Sequence, residues 1–188
     1  YNVFVDGKLH KVVKVCGTDT LIHLVSGIDK RIHSLKIQKR SEGEFGKTTV
    51  HQFVLSGSGR LAEEPAVRTR HIEFIGNSLT CGYGTDGKHR DEPFLVETEN
   101  CNLTFASMVA RYYDADYTLI AHSGRGAARN YGDSVRVSKV TMKDRMLNTF
   151  DEDLTHKWNF KEYRPDLVVI NLGSNDFSTE PHPYKSEF

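Results

Sequence analysis

Three strand-length apolar runs, separated by stretches with room for helices, constrain this chain more than any other feature. They are His71-Ile72-Glu73-Phe74-Ile75-Gly76, Asp116-Tyr117-Thr118-Leu119-Ile120-Ala121 and Leu167-Val168-Val169-Ile170-Asn171-Leu172. Strands covered on both faces of a parallel sheet read as apolar runs of this kind, whereas half-solvated antiparallel strands alternate. Between the first two runs, Leu103, Ala106, Val109, Ala110 and Tyr113 recur on one helical face, with Asn100 or Asn102 as the cap. A weaker helical period runs from Val140 to Phe150. The order β-α-β-α-β predicts an α/β domain with a doubly wound parallel sheet packed between helices.

Residues 1 to 65 have a different texture. Tyr1–Val5, Val12–Val15, Thr20–Val25, Ile32–Ile37 and Thr49–Leu55 are short β-prone segments bounded by Gly, Ser or Asp. They predict a β-sandwich of jelly-roll type, incomplete because about five strands are fewer than a closed two-sheet sandwich uses. Ser56-Gly57-Ser58-Gly59-Arg60, followed by Glu63-Glu64-Pro65, is the best linker. The expected organisation is therefore a β-sandwich over 1–65 and an α/β domain over 66–188. The chain begins at Tyr1, already inside a predicted strand, so it is expected to be a processed or partial product.

Charge and metal-binding residues narrow the function classes. Lys and Arg total 25, as do Asp and Glu, so net charge is zero. Long-range attraction to nucleic acid or an anionic membrane is thereby disfavoured. The apolar runs are too short to span a bilayer, and the first residues are expected to be strand rather than signal peptide, which is weak evidence about compartment. Three cysteines lack a C-x-x-C spacing, and nine histidines are scattered singly without an H-E-x-x-H pair. A metal enzyme is disfavoured and no cofactor is expected. A bridge such as Cys81–Cys101 stays open. His23, His33 and His51 are expected to face outward.

Each apolar run of the α/β region ends in a small polar cluster: Gly76-Asn77-Ser78, His122-Ser123-Gly124-Arg125-Gly126 and Gly173-Ser174-Asn175-Asp176. Taken singly, each has a plainer reading: a helix cap, a glycine-rich phosphate cradle, and a turn with an Asp cap. Adjacent parallel strands would bring all three to one sheet edge, where ligands bind in open α/β sheets. Jointly they suit acyl transfer, whose tetrahedral intermediate needs donors aimed at the developing oxyanion. Ser78 is the candidate nucleophile. The Ser78 and Gly124 N–H groups and the Asn175 amide are the candidate donors, with Gly124 expected to be glycine because close backbone approach leaves no room for a Cβ.

On these residues the chain resembles the SGNH (GDSL-type) hydrolases. More narrowly, Ile72 to Gly84, Arg129-Asn130-Tyr131-Gly132 and Asn171 to Ser178 are similar to carbohydrate esterase family 2, across essentially the whole chain. The resemblance implies a β-sandwich joined to a three-layer α/β/α hydrolase domain. It also implies a secreted, periplasmic or cell-surface esterase that removes acetyl groups from xylan or glucomannan. Ser78 matches the nucleophile, and Gly124 and Asn175 match the oxyanion donors. Asn77 stands where the superfamily usually has Asp, a change expected to affect capping more than chemistry. The D-x-x-H block that supplies the base is absent, so the base is expected beyond Phe188. His182, in Glu180-Pro181-His182-Pro183, lies too close to Asn175 to replace it.

The expected mechanism is a two-step hydrolysis through an acyl-Ser78 intermediate, without metal or organic cofactor. Tyr83, His122, Trp158 and Tyr184 are candidate substrate contacts. Competing readings are a non-catalytic glycan-binding protein and an esterase acting on lipid or thioester substrates.

Overall fold

Asp6 and Gly7 both adopt positive φ, 49° and 75°, the backbone of a type I′ turn that matches strand twist in tight hairpins. They join β1 (Asn2–Val5) to β2 (Lys8–Val12), and β3 (Leu35–Gln38) pairs antiparallel on the other side of β1. The Asp6 carboxylate closes the arrangement by accepting from the Ser34 N–H at 2.9 Å and meeting His33 Nδ1 at 2.7 Å. The structure is a computed structural model that describes residues 1–18, 20–63 and 68–178.

Among the described residues of this first region there is one antiparallel sheet, in the order β2-β1-β3. The segments expected as strands over 20–25 and 49–55 carry no ladder. Leu21, Val50, Phe53 and Val54 are exposed. Their β propensity finds no neighbouring strand to pair with, and an isolated extended segment has nothing to stabilise it. The second sheet of a sandwich is thus not seen among the described residues.

The chain divides into two compact units, Tyr1–Arg40 with Lys47–Val67, and Ser41–Gly46 with Arg68–Phe188. The short Ser41–Gly46 segment, flanked in sequence by the first unit, therefore packs as part of the second. That membership has no counterpart in the sequence reading.

The second unit is built on three parallel strands, β4 (His71–Gly76), β5 (Asp116–Ala121) and β6 (Leu167–Asn171), at the positions that the apolar runs predict. Sheet order is β5-β4-β6, so the strand leading to Ser78 is central. Gly76 pairs in register with Ala121 on one side and Asn171 on the other. The three polar clusters therefore leave the sheet at one level.

Helices are shorter than the periodicity suggests. After the single turn α1 (Ser78–Cys81), α2 (Phe105–Tyr112) starts from Thr104, whose side chain accepts from the Ser107 N–H. Asn100 caps a separate 3-10 turn over Cys101–Leu103 instead. Ala106 and Ala110 of α2 pack with Ile72, Phe74 and Ala115, and the Phe105 ring meets Phe74 edge-on at 6.0 Å. The helix expected over 140–150 shrinks to α3 (Met142–Arg145). The chain then doubles back, with Asn148 bridged to Lys157. Among the described residues, no helix is long and apolar enough to cross a membrane.

Candidate active site

The turn after β4 separates two roles that the sequence leaves superposed. Asn77, fully buried, caps α1: its Oδ1 accepts from the Leu79 N–H at 3.2 Å. Ser78 is the first helical residue and is partly exposed, and its hydroxyl makes no hydrogen bond among the described residues. The capping that could have explained a serine here is done by its neighbour. Gly82 ends the helix in the left-handed conformation and donates its N–H to Ser78 O at 3.0 Å. Strand and helix touch directly, since a Cβ on Gly76 would lie 2.0 Å from Thr80 Oγ1.

The loop after β5 is shaped by Asp176. This fully buried carboxylate accepts three backbone N–H groups, from Ala127 at 3.0 Å, Ala128 at 2.7 Å and Arg129 at 3.0 Å. Such a ring of donors holds the loop around one side chain. The expected reason for glycine at Gly124 is corrected: a Cβ there would meet nothing nearer than Tyr131 Cβ at 3.9 Å, but φ is +75°. Backbone conformation, not crowding, calls for glycine at that position. The crowding lies at Gly126, where a Cβ would fall 1.9 Å from Arg129 O.

Two hydrogen bonds tie the third cluster to the other two. Asn77 Nδ2 donates to Ser174 Oγ at 2.9 Å, and Asn175 Nδ2 donates to Arg125 O at 2.8 Å. The second Asn175 N–H remains available for a ligand. No hydrogen bond among the described residues uses the Ser78 or Gly124 N–H. The structure thus brings Ser78, Gly124 and Asn175 to one sheet edge, as predicted from the three strand ends.

The remaining candidates sort differently. Tyr83 follows α1, is 48% exposed, and stacks on Phe94 at 3.6 Å with planes 10° apart. His122 is buried, with Nδ1 2.7 Å from Asp151 and Nε2 3.3 Å from Glu44. With both ring nitrogens engaged, it braces the loop rather than lining an open surface. Trp158 is half-buried and its backbone donates to Leu147 O beside the Asn148–Lys157 bridge. No hydrogen bond among the described residues connects it with Ser78. Tyr184 and His182 lie outside the described residues. No described histidine is hydrogen-bonded to Ser78.

Sequence reasoning missed an acidic network around His122. Burial works to raise the Asp151 carboxyl, but the His122 hydrogen bond and the Arg145 guanidinium outweigh it and hold Asp151 below the usual carboxylate range. Arg145 reaches Asp151 at 3.2 Å and Glu152 at 2.8 Å. Glu42, Cys81 and Glu99 form a neighbouring buried group, and the ligating atoms within each such group lie within 4.8 Å of one another. Burial, reinforced by the Glu42 and Glu99 carboxylates, pushes the Cys81 thiol far up, which keeps it a protonated donor rather than a thiolate ligand. All three cysteines are free thiols, so the Cys81–Cys101 bridge is not formed. Single acidic residues in unremarkable sequence give no signal of such a network, whereas Asp176 stands inside a recognised cluster.

Residues 72–187 match the family of GDSL-like lipases and acylhydrolases. The chain belongs to that family. Residues 1–65 of this GDSL-type hydrolase match the N-terminal region of carbohydrate esterase family 2. It is 37% identical, over 95% of its length, to a cellulase/esterase CelE of Acetivibrio thermocellus, of which it covers 21%. It is 33% identical to an acetylxylan esterase / glucomannan deacetylase of Cellvibrio japonicus, covering 95% of this chain and 49% of that protein. The chain thus spans half or less of these relatives. A family two carbohydrate esterase from Clostridium thermocellum, solved with cellohexaose, superposes with a TM-score of 0.88 at 37% identity, covering 95% of this chain and 54% of that one. A family 2 esterase from Corynascus gives 0.79 at 27% identity, over 96% and 54%.

Proposed function

We propose that the protein of which this chain forms part is a serine esterase that removes O-acetyl groups from plant cell-wall polysaccharides such as xylan or glucomannan. The observation that carries the reading is the unengaged Ser78 hydroxyl at the edge of the parallel sheet, with Asn77 doing the capping and two open backbone donors alongside. Ser78 Oγ attacks the acetyl carbonyl. The carbonyl oxygen becomes an oxyanion met by the Ser78 and Gly124 N–H groups and the second Asn175 N–H, and the sugar hydroxyl leaves. Water then releases acetate from Ser78. A general base must take the Ser78 proton, and its place is to be sought in the full-length protein. The deacetylases among the relatives support the substrate class. A secreted, periplasmic or cell-surface location belongs to the same proposal, since cell-wall polysaccharide lies outside the cell. Oriented groups, not a bound metal, carry each step of this scheme. The half-exposed Tyr83 ring is offered as a contact for a sugar.

In the full-length protein, Ser78→Ala should lower kcat on an aryl acetate and on acetylated xylan by at least about 10⁴-fold. Retained turnover would overturn the nucleophile assignment. A wild-type protein that binds oligosaccharide yet releases no acetate would point instead to glycan binding. Preference for a long-chain aryl ester would indicate a lipid esterase.

A further inference from the structure

Two sides of the triangle formed by the three polar clusters are closed by direct hydrogen bonds, Asn77 to Ser174 and Asn175 to Arg125. The third side joins the nucleophile turn to the Gly124 loop. Here one residue from the Ser41–Gly46 segment spans the gap. Glu42 Oε2 accepts the Ser123 N–H at 2.6 Å and the Cys81 thiol at 3.5 Å. Ser123 directly precedes Gly124, and Cys81 closes the single helical turn that Ser78 opens. The Glu42 side chain is 1% exposed, so water does not compete for the carboxylate. The thiol stays protonated under the burial and charge described above, as a donor to Glu42 must.

We propose that Glu42 is a positioning residue of the oxyanion site, setting the distance between the nucleophile turn and the Gly124 N–H through one shared carboxylate oxygen. This rests on the acyl-transfer reading above. Its neighbour Glu44 acts on the same loop by meeting His122 Nε2 at 3.3 Å, opposite Asp151. Glu42 touches no reacting atom. Its effect is on the geometry in which the oxyanion is met, and that enters kcat rather than KM. The Gly124 loop is held elsewhere by the Tyr131 N–H on Gly124 O at 2.8 Å, by Asn175 on Arg125 O, by His122 between Asp151 and Glu44, and around Asp176. Glu42 adds the tie that joins the Ser123 N–H to the nucleophile turn.

The test uses the full-length protein with an aryl acetate, measuring kcat, KM and melting temperature for Glu42→Ala, Glu42→Asp and Glu42→Gln, with Ser78→Ala as control. Alanine removes the acceptor and aspartate cannot span both donors, so each should lower kcat about tenfold or more with KM within about twofold. Glutamine keeps length and one acceptor oxygen and should restore kcat to within about threefold of wild type. If Glu42→Ala does not fold, Glu42→Asp decides. Unchanged kcat in the shortened variant, a loss confined to KM, or a glutamine variant as poor as the aspartate would overturn the proposal. Turnover surviving in Ser78→Ala would bring down the acyl-transfer reading itself. An inactive Ser78→Ala beside normal Glu42 variants would bring down only the role of Glu42.

Discussion

At the scale of single residues, Asp176 has the strongest claim to shape the site without reacting. Its carboxylate receives three backbone N–H groups in a fully buried setting. Asn at this position keeps one acceptor but turns two donor hydrogens toward N–H groups that already donate. A buried donor left unmet costs about 1–3 kcal/mol. Asp176→Asn should therefore lower unfolding free energy by that amount in urea titration of the full-length protein, and lower kcat with it. An unchanged midpoint would mean that the loop holds itself. Asp176 and Asn175 were legible in the sequence as a pair at a strand end, and Ser78 became legible through them. The division of labour between Asn77 and Ser78 was not, because both residue types cap helices equally well and only the hydrogen bond to Leu79 separates them.

At the scale of elements, the parallel strands fall where the apolar runs place them, because such runs are a continuous local signature, although only β4 is buried along its length while β6 stays largely exposed among the described residues. Helices fared less well. Asn100 had the right chemistry for capping α2, but Thr104 holds the position, and the period over 140–150 yields one turn before the chain doubles back. Periodicity reports amphipathic potential, while tertiary contacts decide how much of it is used. The α1 turn carries a sharper prediction. Gly82 has φ +88°, and a Cβ there would lie 2.5 Å from Asn100 O, the carbonyl of a residue whose own N–H donates to Gly82 O. Gly82→Ala should cost about 1–3 kcal/mol in strain alone. Displacement of α1 should also lower kcat more than KM in steady-state assays. A wild-type kcat in that variant would show that the turn tolerates the shift.

At the scale of the whole molecule, stability against pH reads out a charge placed inside the sheet. Glu73 lies on the central strand between Ile72 and Phe74, is 8% exposed, and burial raises its carboxyl above 4.5. A folded value above the unfolded one means that both states hold the proton well below pH 4.5, where the group contributes nothing. As pH rises through 4.5 and then through the raised value, the unfolded state gives up its proton more readily and stability is lost. Glu73→Gln should therefore raise the melting temperature at pH 7 and leave it unchanged near pH 3.5, as followed by scanning fluorimetry. Equal shifts at both pH values would assign the effect to packing instead.

The amino-acid order by itself determined the parallel sheet, the place of the three polar clusters and the identity of the candidate nucleophile, because each is written in contiguous residues a few positions long. Tertiary structure alone decided which segments of the first region pair, in the order β2-β1-β3 among its described residues, and that Ser41–Gly46 belongs with the second unit. It alone decided that Glu42 reaches Ser123 across 81 positions of chain. Strand pairing and buried ion contacts depend on which distant surfaces meet, and a single glutamate in a polar stretch looks the same in sequence whether it faces water or holds a buried loop.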